Sequence, residues 1–221
     1  PERRCSRPQV KRPPRRSSLA GRRFAVAAVT YRLAPKRRFP AASDDIRAAI
    51  GFLRDNASTL RIDPKSIVLL GRSAGGQIAL NVAYSAKDPG IRGVISFYAS
   101  TDLNWSWEHP ENPMVIDTRG VIADYLGGSP SEASASFEAA SPIRSVAADV
   151  PPTLLLHGGR DELVSVFHSG ALSERLAQAG VPHFNVSLPW ATHAFDYVFR
   201  GPGGQISTYA IEDFLERFAR P

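Results

Sequence analysis

One short segment constrains the fold more than any other part of the chain. The apolar run Ile67-Val68-Leu69-Leu70 has no polar alternation, which is typical of a strand buried on both faces of a parallel sheet. A glycine-rich turn follows, Gly71-Arg72-Ser73-Ala74-Gly75-Gly76, and residues 77–84 then carry apolar side chains at helical spacing. The order of strand, turn and helix predicts one βα unit of a parallel sheet.

The turn itself suggests chemistry. Gly71-x-Ser73-x-Gly75 matches the nucleophile elbow, in which a strained turn exposes a serine and the glycines let backbone approach without a Cβ clash. The amide of Ala74, at the helix N-terminus, is expected to point to the place where an oxyanion would form. The alternative is that Ser73 is an ordinary residue of a βα turn. The motif alone is a weak match, but its strand and helix favour the nucleophile.

The rest of the chain alternates between strand and helix patterns. Residues 24–30, 93–98, 151–157 and 184–188 are predicted strands; a helix capped by Ser43-Asp44-Asp45 and helices over 167–179 and 205–219 are also predicted. This alternation implies an α/β fold with a mainly parallel sheet flanked by helices. Residues 100–140 lose periodicity and form an aromatic-bearing insertion. Two interpretations stay open for it: a substrate lid, or an irregular loop that completes the core.

Charge divides the chain into a basic tail and a body. The net charge is +6, but residues 1–23 hold nine of the 27 basic side chains and one of the 21 acidic ones. The body, residues 24–221, is therefore slightly acidic and has no nucleic-acid footprint. The Pro- and Arg-rich tail is predicted to be disordered. It is either a basic arm for nucleic acid or anionic lipid, or non-native sequence from a truncated or frame-shifted gene start, which is the interpretation we favour.

Composition excludes some other classes. A chain of 221 residues with 43% hydrophobic side chains can bury the core of one domain. No apolar run approaches the length of a membrane span, and the single Cys5 excludes an internal disulfide. No signal peptide is visible, so we expect a cytoplasmic location.

A serine nucleophile needs a base and an acid, and the ends of two other predicted strands supply them. Asp161 follows the strand that ends at His157, and His193 follows the last strand, so both are expected at the carboxyl edge of the sheet with Ser73. Asp196 is a rival acid because it lies near His193, although we interpret it as a local stabiliser of that loop. The weaker candidates for the base are His109, His157, His168 and His183.

These residues resemble a known family, the α/β-hydrolase-fold esterases of the hormone-sensitive lipase and feruloyl-esterase-like group. The resemblance covers about residues 24–219. It implies that Ser73 is the nucleophile, Asp161 the acid and His193 the base, with no metal or cofactor. It runs through Tyr31-Arg32-Leu33-Ala34-Pro35, Phe39-Pro40-Ala41-Ala42, Asp45, Gly71-x-Ser73-Ala74-Gly75-Gly76, Ser141-Pro142, Pro151-Pro152-Thr153-Leu154, His157-Gly158-x-x-Asp161 and His193-Ala194-Phe195.

The chain departs from the family pattern in two ways. Arg72 stands where many members have an aspartate beside the nucleophile. The family's His-Gly-Gly-Gly oxyanion loop and its first strands do not precede residue 24, and His157-Gly158-Gly159 cannot replace that loop because it follows the serine. The absent strand would lie in mid-sheet, between residues 24–30 and 66–70. We therefore expect an N-terminally truncated α/β-hydrolase domain.

The first functional hypothesis is hydrolysis of small carboxylic esters through an acyl-enzyme, impaired by the absent oxyanion loop. The alternatives are a peptidase of the same fold, an inactive remnant, and a nucleic-acid binder that acts through residues 1–23, which we consider unlikely. The expected partner is a small-molecule ester, and nothing in the sequence indicates an oligomeric state.

Overall fold

A parallel sheet organises the molecule. The computed structural model describes residues 24–219, and its sheet has four strands in the order β1-β2-β3-β4, all parallel. The register places Leu70 opposite Ile95, Ile95 opposite Leu154, and Leu154 opposite Phe184. The strands are β1 (Ile67–Arg72), β2 (Ile91–Phe97), β3 (Thr153–Gly158) and β4 (His183–Leu188). The predicted α/β class is confirmed.

Helices cover both faces of this sheet. They are α1 (Ala41–Asp55), α2 (Ala57–Leu60), α3 (Ala74–Ser85), α4 (Leu103–Glu108), α5 (Thr118–Leu126), α6 (Ser134–Ala140), α7 (Phe167–Gln178) and α8 (Pro202–Phe218), with a 3-10 turn at Pro142–Ser145. Helices α1, α3 and α7 share one apolar cluster with Val94 and Leu155. Helix α8 packs on the other face, against Ile95, Leu154 and Leu156. Successive strand residues thus enter opposite layers, which explains why the strands are apolar without alternation.

The predicted strand at residues 24–30 is wrong. These residues form no regular secondary structure, and Ala25–Thr30 are exposed. Between them and β1 lies a cavity of about 1640 Å³, lined by residues 24–29, α1 and the free edge of β1. A strand is held by its ladder of hydrogen bonds, and no strand of the described part of the chain lies within reach to form one. Residues 24–30 have the composition of a strand, but the described part of the chain offers them no neighbouring strand.

Helix α1 begins earlier than the capping signal predicted. It starts at Ala41, and its N-cap Pro40 makes no side-chain hydrogen bond. The side chain of Ser43 is buried and donates to Asn81 Oδ1 at 3.1 Å. Asp45 accepts a backbone hydrogen bond and a salt bridge from Arg32, each at 2.8 Å. These side chains fasten α1 to its neighbours instead of capping it.

The insertion at residues 100–140 is largely helical. Helices α4, α5 and α6 share a small apolar cluster, formed by Leu103, Ile122, Leu126, Phe137 and Ala140. Asn81 of α3 donates to the carbonyl of Ala139 at 2.6 Å, which attaches this cluster to the sheet layer. The segment therefore extends the core, and its role as a lid stays a prediction. The predictions about the disorder and the origin of the tail concern residues outside those that the structure describes.

Candidate active site

Ser73 occupies a turn that L-amino acids rarely adopt. It stands between β1 and α3 with φ of 52° and ψ of −125°, although it carries a side chain. Its N–H donates to the carbonyl of Phe97 at 2.9 Å, and its own carbonyl accepts from the amide of Gly76 at 2.9 Å. A positive φ at a non-glycine residue is costly and persists where surrounding structure imposes it. The sharp turn that the motif predicted is present.

The glycines of the turn have unequal roles. A Cβ on Gly71 would overlap the carbonyl of Gly75, so only glycine fits there. A Cβ on Gly75 would meet only the hydroxyl of Tyr31, at 3.6 Å, which is an ordinary contact. On Gly76 a Cβ would lie 2.8 Å from the side chain of Ser96. The steric reason expected for Gly71 and Gly75 therefore applies to Gly71 and Gly76.

The loop after β3 buries a carboxylate and satisfies both of its oxygens. Asp161 Oδ1 accepts the amides of Leu163 and Val164 at 2.9 and 3.0 Å. Asp161 Oδ2 accepts from His193 Nδ1 at 2.7 Å. Its side chain has no exposed surface. Burial alone would raise the pKa of Asp161, but the hydrogen bonds from His157, His193, Val164 and Leu163 outweigh it and hold that pKa well below its usual range.

His157, at the end of β3, supports this loop from within. Its Nε2 lies 3.0 Å from the carbonyl of Val164 and 3.5 Å from Asp161 Oδ2. A ring with one proton donates it from Nε2 to these acceptors. Its Nδ1 is then left buried with no hydrogen-bond partner among the described residues. The interpretation of His157 as a residue of the acid loop agrees with these contacts.

The loop after β4 brings His193 to Asp161 through a close backbone approach. The amide of Arg160 donates to the carbonyl of Ala191 at 2.9 Å. A Cβ on Gly158 would overlap that same carbonyl and approach Thr192 O at 2.8 Å. The loop can therefore lie directly on the end of β3, within reach of Asp161. This close approach explains why the motif His157-Gly158-x-x-Asp161 has a glycine at its second position.

Ser73, Asp161 and His193 follow the carboxyl ends of three parallel strands, β1, β3 and β4. Asp161 and His193 are joined by a hydrogen bond. Among residues 24–219, no hydrogen bond joins His193 to Ser73. Serine–base contacts are commonly long until a substrate binds. The third contact of the triad stays a prediction.

The rival acid Asp196 belongs to a different network. Its carboxylate accepts from Tyr98 Oη at 2.6 Å and from Arg72 Nε at 2.7 Å. Asp196 therefore bridges the ends of β1 and β2, beyond the local loop role expected for it. Tyr98 was not among the candidate residues predicted from the sequence. Its place just after a buried parallel strand is the signal that could have found it.

His168 is a structural residue. It is buried, accepts from the amide of Thr101 at 3.3 Å, and contacts Ser106 Oγ through Nε2 at 2.9 Å. Burial, reinforced by repulsion from His157, lowers the pKa of His168 to about 3. A ring that stays neutral and has both nitrogens engaged is a poor base.

Residues 24–219 contain no group of three His, Cys, Asp or Glu side chains arranged to hold a metal ion. Over the same residues, no helix combines the length and apolarity needed to cross a bilayer.

The chain is similar to known esterases in sequence and in fold. Over 199 residues the chain is 30% identical to Esterase LipQ of Mycobacterium tuberculosis, covering 85% of this chain and 46% of that protein. Over 218 residues it is 28% identical to Esterase LipC of the same organism, covering 92% and 53%. The esterase of Pyrobaculum calidifontis superposes with a TM-score of 0.76 at 24% identity, covering 92% of this chain and 68% of that one.

The chain spans about half the length of these two curated relatives. The solved structure shows the fold alone, which is that of an α/β-hydrolase. The family model BD-FAE matches residues 9–176, more than half of the sequence. The chain therefore belongs to the BD-FAE family and is an α/β-hydrolase of the hormone-sensitive lipase and feruloyl-esterase-like type.

Proposed function

We propose that this protein hydrolyses small carboxylic esters, with Ser73 as nucleophile, His193 as general base and Asp161 as the acid that orients the base. The observation that carries the proposal is the 2.7 Å hydrogen bond between His193 Nδ1 and Asp161 Oδ2, at the sheet edge that also bears the strained Ser73. Asp161 thereby fixes the proton of the neutral ring on Nδ1. Nε2 is then left as the nitrogen that can accept a proton.

The reaction follows from these roles. Ser73 Oγ attacks the ester carbonyl while His193 Nε2 takes the hydroxyl proton. The tetrahedral intermediate collapses, His193 returns the proton to the leaving alcohol, and the acyl group stays on Ser73. Water then attacks the acyl-enzyme with His193 again as base, which releases the carboxylic acid and restores Ser73. The lowered pKa of Asp161 keeps it ionised throughout, so it stabilises the imidazolium formed in each step.

The oxyanion of this intermediate needs hydrogen-bond donors. Ala74 is the first residue of α3, so its amide is one of the N–H groups that a helix leaves unpaired at its start. Family members bind the oxyanion with two backbone amides, and the second amide comes from a loop that precedes the nucleophile. We propose that the cavity beside β1 is where a further strand would lead to that loop, and that activity is impaired without it. The cavity is lined by both residues 24–29 and β1, which supports the placement of added chain between them.

Serine-dependent turnover is the direct test of the proposed function. The purified chain and its Ser73→Ala variant are assayed with a short-chain nitrophenyl ester. We expect slow hydrolysis by the parent chain and none above buffer by the variant, because the alanine has no nucleophilic oxygen. A peptide anilide, run in parallel, tests the peptidase alternative. Equal rates for parent and variant would contradict the assignment of Ser73.

Completing the sheet should raise activity. A segment with the pattern of an apolar strand, followed by a His-Gly-Gly-Gly loop of the family type, is fused to this chain in place of residues 1–23. Loss of one oxyanion donor typically costs about 10²–10³ in rate, so we expect kcat/KM to rise by about 10² or more. The control fusion carries prolines at alternate positions, because proline cannot join a central strand. An unfused chain with full, Ser73-dependent activity would contradict the impairment, while leaving the serine mechanism intact.

A further inference from the structure

A second set of side chains surrounds the ring of His193. The ring of Tyr98 lies 4.4 Å from that of His193, with their planes inclined at 56°. Tyr98 is buried, and its hydroxyl donates to Asp196 Oδ1 at 2.6 Å. The hydrogen bond to Asp161 fixes the position of His193 Nδ1, but a single hydrogen bond does not fix the tilt of the ring plane. The ring of Tyr98 limits this freedom from the side.

Asp196 ties this contact to the nucleophile. Its carboxylate is almost fully buried, and its second oxygen accepts from Arg72 Nε at 2.7 Å. Arg72 is the residue directly before Ser73, and its guanidinium lies 4.9 Å above the ring of Phe97. Burying a carboxylate is unfavourable unless it is paired and hydrogen-bonded. The hydrogen bonds from Arg72 and Tyr98 therefore stabilise Asp196 in its buried position. The chain Arg72–Asp196–Tyr98 therefore connects the serine turn to the histidine ring.

The backbone around this network is strained at three points. Ser73, Tyr98 and Ala194 have φ values of 52°, 37° and 57°, although none is glycine. The left-handed region is unfavourable for L-residues, and for a residue as bulky as tyrosine it is a genuine outlier. Tyr98 belongs to the network, Ser73 directly follows Arg72 in the chain, and Ala194 directly follows His193. Such strain is found where tertiary contacts impose a geometry that function needs.

We propose that Arg72, Asp196 and Tyr98 form a positioning unit that sets the orientation of His193 relative to Ser73. The inference rests on the proposed function, in which His193 is the base. In this proposal none of the three residues touches the reacting atoms. They act through His193, because a base displaced by about 1 Å can lose about 10² in rate.

The test compares matched variants of the full chain. Asp196→Asn removes the charge that Arg72 and Tyr98 hold, and Tyr98→Phe keeps the ring but removes its hydroxyl. The control is Asp213→Asn. On the surface of α8, Arg217 Nε donates to Asp213 Oδ2 at 2.8 Å, so the same two kinds of atom are joined as in the Arg72–Asp196 pair. We expect kcat to fall about 10- to 100-fold in Asp196→Asn and less in Tyr98→Phe, with KM within about threefold. The control should keep the parent values.

A second measurement does not depend on turnover. We expect the proton between His193 Nδ1 and Asp161 to give a far-downfield NMR signal, which its loss in His193→Gln would assign. In Asp196→Asn and Tyr98→Phe we expect this signal to shift or to exchange faster with water, because the ring is less constrained; in Asp213→Asn it should be unchanged. An unchanged signal in both test variants would overturn the proposal, even if kcat falls, because the loss would then be structural.

The two proposals fail in different ways. If Ser73→Ala turns over ester as fast as the parent chain, the proposed function fails, and the NMR signal alone decides the positioning role. If Ser73→Ala is inactive but Asp196→Asn keeps the parent kcat and the parent signal, the esterase mechanism stands and the positioning unit is rejected.

Discussion

At the scale of single residues, the surroundings of two nearby carboxylates separate their roles. Asp161 accepts from two backbone amides and from His193, whereas Asp196 accepts from Tyr98 and Arg72. Asp161 contacts Nδ1 of His193, the proposed base. Separation along the sequence alone would have favoured Asp196, which is three residues from His193.

Asp161→Asn should therefore abolish most of the proposed activity. The amide cannot accept the Nδ1 proton as a carboxylate does, so the ring loses its preferred tautomer and its counter-charge; we expect kcat to fall by about 10³-fold or more. Initial rates on a nitrophenyl ester measure this. Asp149→Asn, at an exposed carboxylate that pairs with Lys87 at 3.5 Å, is the control. A fall in kcat as large for the control as for Asp161→Asn would show that the effect is not local.

At the scale of elements, the turn from β1 to α3 is a steric fit between two segments of backbone. A Cβ on Gly71 has no room beside the Gly75 carbonyl. In contrast, Gly51 lies within α1, and a Cβ there would meet nothing within 4 Å. The two glycines thus differ in whether the packing of neighbouring elements requires them.

Alanine at these positions should shift stability in opposite directions. Gly71→Ala should lower the free energy of unfolding by at least about 2 kcal/mol, because the turn must open to admit the methyl group. Gly51→Ala should raise it by about 0.5–1 kcal/mol, since alanine loses less backbone entropy in a helix. Urea denaturation measures both. A Gly71→Ala chain as stable as its parent would contradict the close approach.

At the scale of the whole molecule, the buried His168 makes folding sensitive to acid. Burial lowers its pKa to about 3, while the ordinary value of about 6.5 applies in the unfolded chain. Between these values the unfolded chain binds a proton that the native protein does not. Stability from this residue is therefore present above about pH 6.5 and is lost as the pH falls towards 3.

The comparison with His168→Gln isolates this effect. From about pH 6 to about pH 4, the unfolding free energy of the parent should fall relative to that of the variant by about 1.4 kcal/mol per pH unit. Urea denaturation at several pH values, with pH 8 as the reference where the ring is neutral in both states, measures the difference. A difference that does not vary with pH would mean that His168 is protonated in the native protein.

Local pattern was sufficient to predict the elements whose own residues carry a clear signature. The apolar run before Ser73, the turn and the helix after it were predicted from sequence, as were the other three strands of the sheet, because buried parallel strands and βα turns leave a local signature. Asp161 and His193 were predicted as candidates for the same reason: each follows the end of such a strand. The helices of residues 100–140 were missed because their apolar contacts are mainly with one another across the insertion.

Only the tertiary structure decided which partners these groups have. Residues 24–30 carry the pattern of a strand, but a ladder needs a neighbour, and a cavity lies between these residues and β1. Asp196 pairs with Arg72, which is 124 residues away, and no local rule links them. Composition and periodicity determine which segments can form strands or helices. Hydrogen-bond partners across the fold determine whether they do, and which carboxylate reaches the histidine.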